Sequence, residues 1–115
     1  MGLLNRCAVI IKPRTPYLKW AKRDDAEGLA ESVFEPMRSN PNTYLVPSWD
    51  DDAGRNAILK NSWSTLFELM LECWVTDEAY WPAPRTRRMF DQWFEVTVSE
   101  SVEDLVLDEP IEDFG

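Results

Sequence analysis

Three groups of side chains in this 115-residue chain have the types and spacing that chemistry could use. Lys12, Arg14 and Thr15 stand together where an apolar run ends at Pro13. If a helix starts there, its free N–H groups and positive dipole end would join two basic side chains, a setting for phosphate or carboxylate. Arg85, Arg87 and Arg88 follow Trp81-Pro82 in a proline-rich stretch. Trp and Arg are over-represented in binding hot spots, and a proline-stiffened loop loses little entropy on binding. The third group is Asp50-Asp51-Asp52. Carboxylates bind Mg²⁺ or Ca²⁺, but no calcium-loop spacing follows, and consecutive aspartates at a helix start do not converge on one point. Helix capping is the better account of them.

Each basic group also has a plainer reading. The first would pair with acids near the C-terminus, and the second would be solvated or salt-bridged, with Trp81 plugging the end of a helix.

The chain has no histidine. That removes the commonest general base and metal ligand, and with them any Ser-His-Asp or Cys-His nucleophile. The two cysteines, Cys7 and Cys73, fall in different apolar segments and offer no zinc spacing. They are expected to be unpaired core residues in a reducing compartment. No metal and no cofactor is expected.

Charge is unevenly distributed. Residues 1–23 hold six bases and no acid, residues 95–115 hold eight acids and no base, and the net charge is −9. Two outcomes follow: the two ends neutralise each other across neighbouring strands, or the acidic end, with Asp108, Glu109, Glu112 and Asp113, meets a basic protein partner. Direct nucleic-acid binding is disfavoured without a basic footprint. No apolar run reaches signal-peptide or membrane-spanning length, so a cytoplasmic location and no membrane contact are expected.

The elements that must position these residues are legible in the hydrophobic pattern. Residues 6–12 read as a strand apolar on both faces, fit to be covered on both sides or nearly so. Thr15 and Pro16 suit the N-cap and first position of a helix to about Arg23, with Tyr17 or Trp20 inward. Asp24-Asp25 would cap a second helix carrying Ala26, Leu29, Ala30 and Val33, weakened by Gly28. Thr43 to Val46 is a short strand.

Leu59, Trp63, Leu66, Phe67, Met70, Cys73 and Trp74 recur at steps of three and four, which predicts a long amphipathic helix from about Asp52 to Trp74. Met89, Phe90 and Trp93 mark another helix. Phe94, Val96 and Val98 alternate as a half-buried strand, and Val102 to Leu107 reads as a last strand or a helical turn. The expected fold is α+β: a small mixed or antiparallel sheet of three or four strands on one long amphipathic helix and two or three short ones. It would form a single domain with a loose acidic tail from about 108 to 115.

Three stretches together resemble a family of small bacterial cytoplasmic proteins. They are Asn5-Arg6 … Lys12-Pro13-Arg14 … Pro16-Tyr17 … Trp20, then Thr43-Tyr44-Leu45-Val46-Pro47, then Trp63, Phe67-Glu68, Leu71, Trp74, Asp77, Trp81-Pro82, Arg85-Thr86, Phe90 and Trp93-Phe94. The resemblance spans residues 5–110 or so. It implies a bacterial cytoplasmic single domain and carries over no catalytic residue.

Two functions stay open. The favoured one is a non-catalytic interaction protein, an adaptor or inhibitor. The alternative is a small anionic-ligand-binding or enzymatic domain built on Lys12, Arg14 and the Arg85, Arg87 and Arg88 cluster. Convergence of both basic groups on one concave pocket would favour the second, and scattering or internal pairing the first.

Overall fold

Alternation along the first long strand organises the molecule. In the computed structural model, which describes residues 2–3 and 6–105, Cys7, Val9, Ile11 and Pro13 of β2 (Arg6–Pro13) are buried on one side of the sheet. β2 is the middle strand. β3 (Asn42–Pro47) and β4 (Phe94–Ser99) flank it, both antiparallel. The register sets Val9 beside Tyr44 and Val98, and Ile11 beside Asn42 and Val96. A separate antiparallel pair joins β1 (Gly2–Leu3) to β5 (Glu103–Asp104).

The expectation of a strand covered on both sides or nearly so holds fully on one face and in part on the other, where Ala8 is buried and Ile10 and Lys12 are half-buried. The opposite face of β2 carries Arg6, Ala8, Ile10 and Lys12. Ile10 is half-buried between exposed Thr43 and Thr97, and Leu45 beside Ala8 is 46% exposed. One wet face is the usual state of an antiparallel sheet.

The covered face meets α1 (Thr15–Lys22), α3 (Asp52–Glu72) and α4 (Arg87–Trp93) through one hydrophobic cluster. Asp51 caps α3 by accepting from the Gly54 N–H at 2.8 Å, as expected of one member of the Asp50–Asp52 run. Thr86 caps α4 through the Met89 N–H. The stripe of α3 that is fully buried is Leu66, Phe67, Met70 and Leu71, while Leu59 and Trp63 are half-buried.

Phe67 sits at the centre of an aromatic seam. Its ring lies 5.3 Å from Phe94 edge-on, 5.5 Å from Trp93 and 5.9 Å from Phe90. Tyr17 and Trp20 extend the seam, so both face inward. Tyr17 also donates its hydroxyl to the Met70 carbonyl at 2.7 Å. Offset and edge-on rings of this kind add about 0.5–1.5 kcal/mol per pair beyond burial.

Several boundaries differ from the sequence reading. Arg14, not Thr15, is the N-cap of α1, and it makes no side-chain cap bond. The helix after Asp24-Asp25 begins later, as α2 (Ala30–Ser39). Gly28 takes φ +70°, a left-handed conformation that glycine adopts at little cost. Asp25 reaches across the resulting turn to accept from the Leu29 and Ala30 N–H groups. The long helix stops at Glu72, two residues short of Trp74. Cys73 is therefore beyond the helix and exposed, against the expectation of a core residue, whereas Cys7 is buried; both thiols are free. No helix among the described residues is long and apolar enough to cross a membrane. The proposed acidic surface of Asp108, Glu109, Glu112 and Asp113, with the tail that bears it, lies outside the described residues.

Candidate functional site

The structure keeps the two basic groups apart and gives most of their members protein partners. Lys12 and Glu95 are register partners on β2 and β4, with Nζ 3.9 Å from the carboxylate. This is one cross-strand neutralisation between the basic and acidic ends of the chain. Arg14 is exposed. It lines a shallow depression of about 430 Å³ with Thr15, Pro16, Phe34, Arg38 and Gln92. Arg38 is partly committed, donating from Nη1 to the Pro13 carbonyl at 2.7 Å.

Arg85 is the most constrained of the cations. One guanidinium nitrogen lies 3.0 Å from Glu68 on α3, another donates to the Pro82 carbonyl, and the group sits 5.7 Å over the Trp81 ring. Its side chain is 23% exposed, and its Nε is buried without a hydrogen-bond partner. Arg87 pairs with Asp91 one turn along α4 at 3.1 Å. It lines a different groove, with Arg55, Leu59, Trp63, Phe90 and the β4 valines. Arg88 is exposed. None of the described clefts is lined by members of both basic groups.

Trp81 is likewise tied down, donating its indole N–H to the Val75 carbonyl at 2.8 Å. Within the Asp50–Asp52 run, Asp51 is the cap and Asp52 lies 3.5 Å from Arg55. Among the described residues no group of three acids or cysteines is placed to hold a metal ion.

A different cleft emerges at the far end of the helices. α1 and α3 end side by side, and the residues at and just past their last turns, Trp20, Ala21 and Asp24 from one and Trp74 and Val75 from the other, enclose about 280 Å³ with Tyr80. Tyr80 closes a short 3-10 turn, Glu78–Tyr80, capped by the Asp77 carboxylate. The Trp20 indole N–H donates to the Tyr80 carbonyl at 2.9 Å. Together with the Trp81 bond to Val75, this pins the connecting loop at two points. The sequence reading missed this cleft. The pattern places Trp74 on the stripe of the long helix and offers Trp20 as an inward residue, and it gives Tyr80 no role. The available signal was that both tryptophans sit where their helices end, beside short polar turns.

Tyr17 and Tyr44 bracket the same end of α3. Burial pushes the Tyr17 phenol well above its ordinary pKa, with Cys73 and Tyr44 adding to the shift. Burial also raises Tyr44, offset in part by the Asn42 side-chain hydrogen bond. Both stay neutral and serve as hydrogen-bonding core groups: the Tyr44 hydroxyl sits between the Asn42 amide and the Met70 sulfur.

Comparison with family models, with curated proteins and with solved structures finds no match. The site is read from its geometry.

Proposed function

We propose that this chain is a non-catalytic interaction protein of the cytoplasm, an adaptor or inhibitor whose partner is a protein with a basic surface. The observation that carries the reading is the fate of the bases. Lys12, Lys22, Arg55, Arg85 and Arg87 each face a carboxylate of the same chain. With a net charge of −9, the charge left over to meet a partner is negative. Such a surface steers a positive partner and repels nucleic acid. Two free thiols suit a reducing compartment.

The test is association with the partner captured from the native cell, measured against ionic strength. Binding should weaken with salt, since exposed charges are screened beyond about 10 Å at 0.1 M. Neutralising Asp108, Glu109, Glu112 and Asp113 together should slow association more than it lowers the melting temperature, because rim charges act on encounter. A lowered melting temperature with unchanged association would remove the role given to the acidic end.

The alternative, an anionic ligand held by both basic groups, has weaker support. What favours it is the Arg14–Arg38 depression at the start of α1. Arg85 and Arg87, occupied by Glu68 and Asp91, stand apart from it. Calorimetric titration with inorganic phosphate, compared between the wild type and Arg14→Ala, decides that point. No heat above dilution would dismiss the anion reading.

A further inference from the structure

We propose that the cleft between the ends of α1 and α3 is a cation-binding aromatic pocket, and that its occupant is the alkylammonium end of a lysine side chain on the partner. The proposal rests on the interaction-protein reading and names the chemistry of one contact within it.

Three features of the lining point the same way. The first is the rings. Trp20, Trp74 and Tyr80 place three aromatic residues around one small space. Aromatic faces carry negative quadrupole density, and tryptophan is the best of them for a cation. The second is charge. Among the described residues the lining includes one carboxylate, Asp24, and no lysine or arginine. Asp24 is exposed and has no hydrogen-bond or ion-pair partner among the described residues. The bases of the same stretch, Lys19, Lys22 and Arg23, are not part of the lining, and Lys22 is 2.7 Å from Glu31. The third is backbone. Both helices that reach the cleft do so with their C-terminal ends, which carry the negative end of the helix dipole. Carboxylate, rings and dipoles all favour positive charge, and none favours an anion.

Size selects the class further. Clefts for drug-sized ligands hold roughly 300–1,000 Å³. At about 280 Å³, this one lies at the small end of that range and has room for an alkylammonium head group with a short stem. One wall is preorganised: Trp20 is 7% exposed and bonded to the Tyr80 backbone, while Tyr80 itself is 54% exposed. A ring already held in place costs little ordering entropy on binding.

The test uses small probes, so its outcome does not depend on whether a partner has been captured. Indole N–H signals of the ¹⁵N-labelled protein are followed during titration with tetramethylammonium chloride at constant ionic strength. Neutral tert-butanol is the control of similar shape. Trp20 and Trp74 should shift saturably with the cation and not with the alcohol, and Trp49, whose indole N–H is held by the Glu100 carboxylate and touches no residue of the lining, should move least. Tyr80→Ala and Asp24→Asn should each weaken the cation by about two- to fivefold with the melting temperature unchanged, since both side chains are exposed.

Equal shifts with the cation and the alcohol, or linear shifts without saturation, overturn the pocket. The source of the cation is decided by Nα-acetyl-lysine methylamide, its Nε-trimethyl form and choline. Saturable binding of either lysine compound supports a lysine-bearing partner, whereas binding of choline alone overturns that assignment. If the pocket fails while salt-dependent partner association persists, only this inference falls.

Discussion

Two aromatic neighbourhoods of this chain share Trp20 and behave differently. In the seam, Phe67, Phe90, Trp93, Phe94 and Tyr17 pack ring against ring, with Phe67 wholly buried. In the cleft, Trp20, Trp74 and Tyr80 border a space that no side chain of the described residues fills. The seam gains from the sheet on one side and three helices on the other. The cleft lies past the last turns of α1 and α3, where the chain turns away before another element can cover the rings. Ring count alone therefore says little about role. What decides it is whether another element packs over the ring: Trp93 and Phe94 stand at the end of α4 and are still covered by Phe67 and Phe90.

Substitutions can sharpen that contrast. Phe67→Ala should have the largest effect, about 3–5 kcal/mol of stability, read by denaturant unfolding. A loss under about 0.5 kcal/mol would mean the seam is not the core. Tyr17→Phe comes next. It leaves the Met70 carbonyl without its donor, at a cost of about 1–2 kcal/mol. The same hydroxyl sets a pH signature. The unfolded chain gives up the phenol proton near its ordinary pKa of 10.0, while the folded protein keeps it to higher pH. Stability is therefore fully present below pH 10 and is lost as pH climbs above it. Tyr17→Phe should flatten that fall, and Tyr44 should account for what remains.

Arg85→Ala removes a partly exposed ion pair and a stacked guanidinium, for about 1 kcal/mol. Thermal melts of Arg85→Ala, Glu68→Ala and the double variant should show coupling. Tyr80→Ala, at the rim, should cost under about 0.5 kcal/mol. A loss near that of Phe67→Ala would erase the distinction between seam and cleft. The smallest effect is chemical: Cys73 should react with a thiol reagent in the native protein, while Cys7 reacts only on unfolding, with the melting temperature unmoved by reductant.

The parts of the fold legible in sequence are those where one period persists. Leu66, Phe67 and Met70 announce α3 because the step of three and four runs for several turns. Phe94, Val96 and Val98 announce β4 because alternation lasts the whole strand. Periodicity fails at ends. Cys73 and Trp74 continue the spacing of α3, yet the helix has already stopped, so the stripe no longer says which side is buried. The start of α2 was obscured for a related reason: Asp25 caps it from five residues before Ala30, across a turn that Gly28 permits. The cleft was invisible because its three rings come from three separate segments, and pairing them needs the relative placement of α1 and α3. The basic groups were visible as residue types, but their partners Glu95, Glu68 and Asp91 follow from register, tertiary packing and helix phase respectively.

The strand order carries a consequence for how the protein is made. β2, an early segment, is the middle of the sheet, and its two neighbours arrive at very different times during synthesis. β3 can pair with it after a modest stretch of chain. β4 cannot, because the partner of Ile11 on that side is Val96, and all of α3 and α4 must emerge first. Until then one apolar edge of the growing sheet is bare, in a chain still attached to the ribosome, and such edges invite pairing with other chains. Final folding must close the long loop between Ile11 and Val96, and a pairing of such sequence separation slows folding relative to local contacts. Holding that nascent edge would be work for a chaperone.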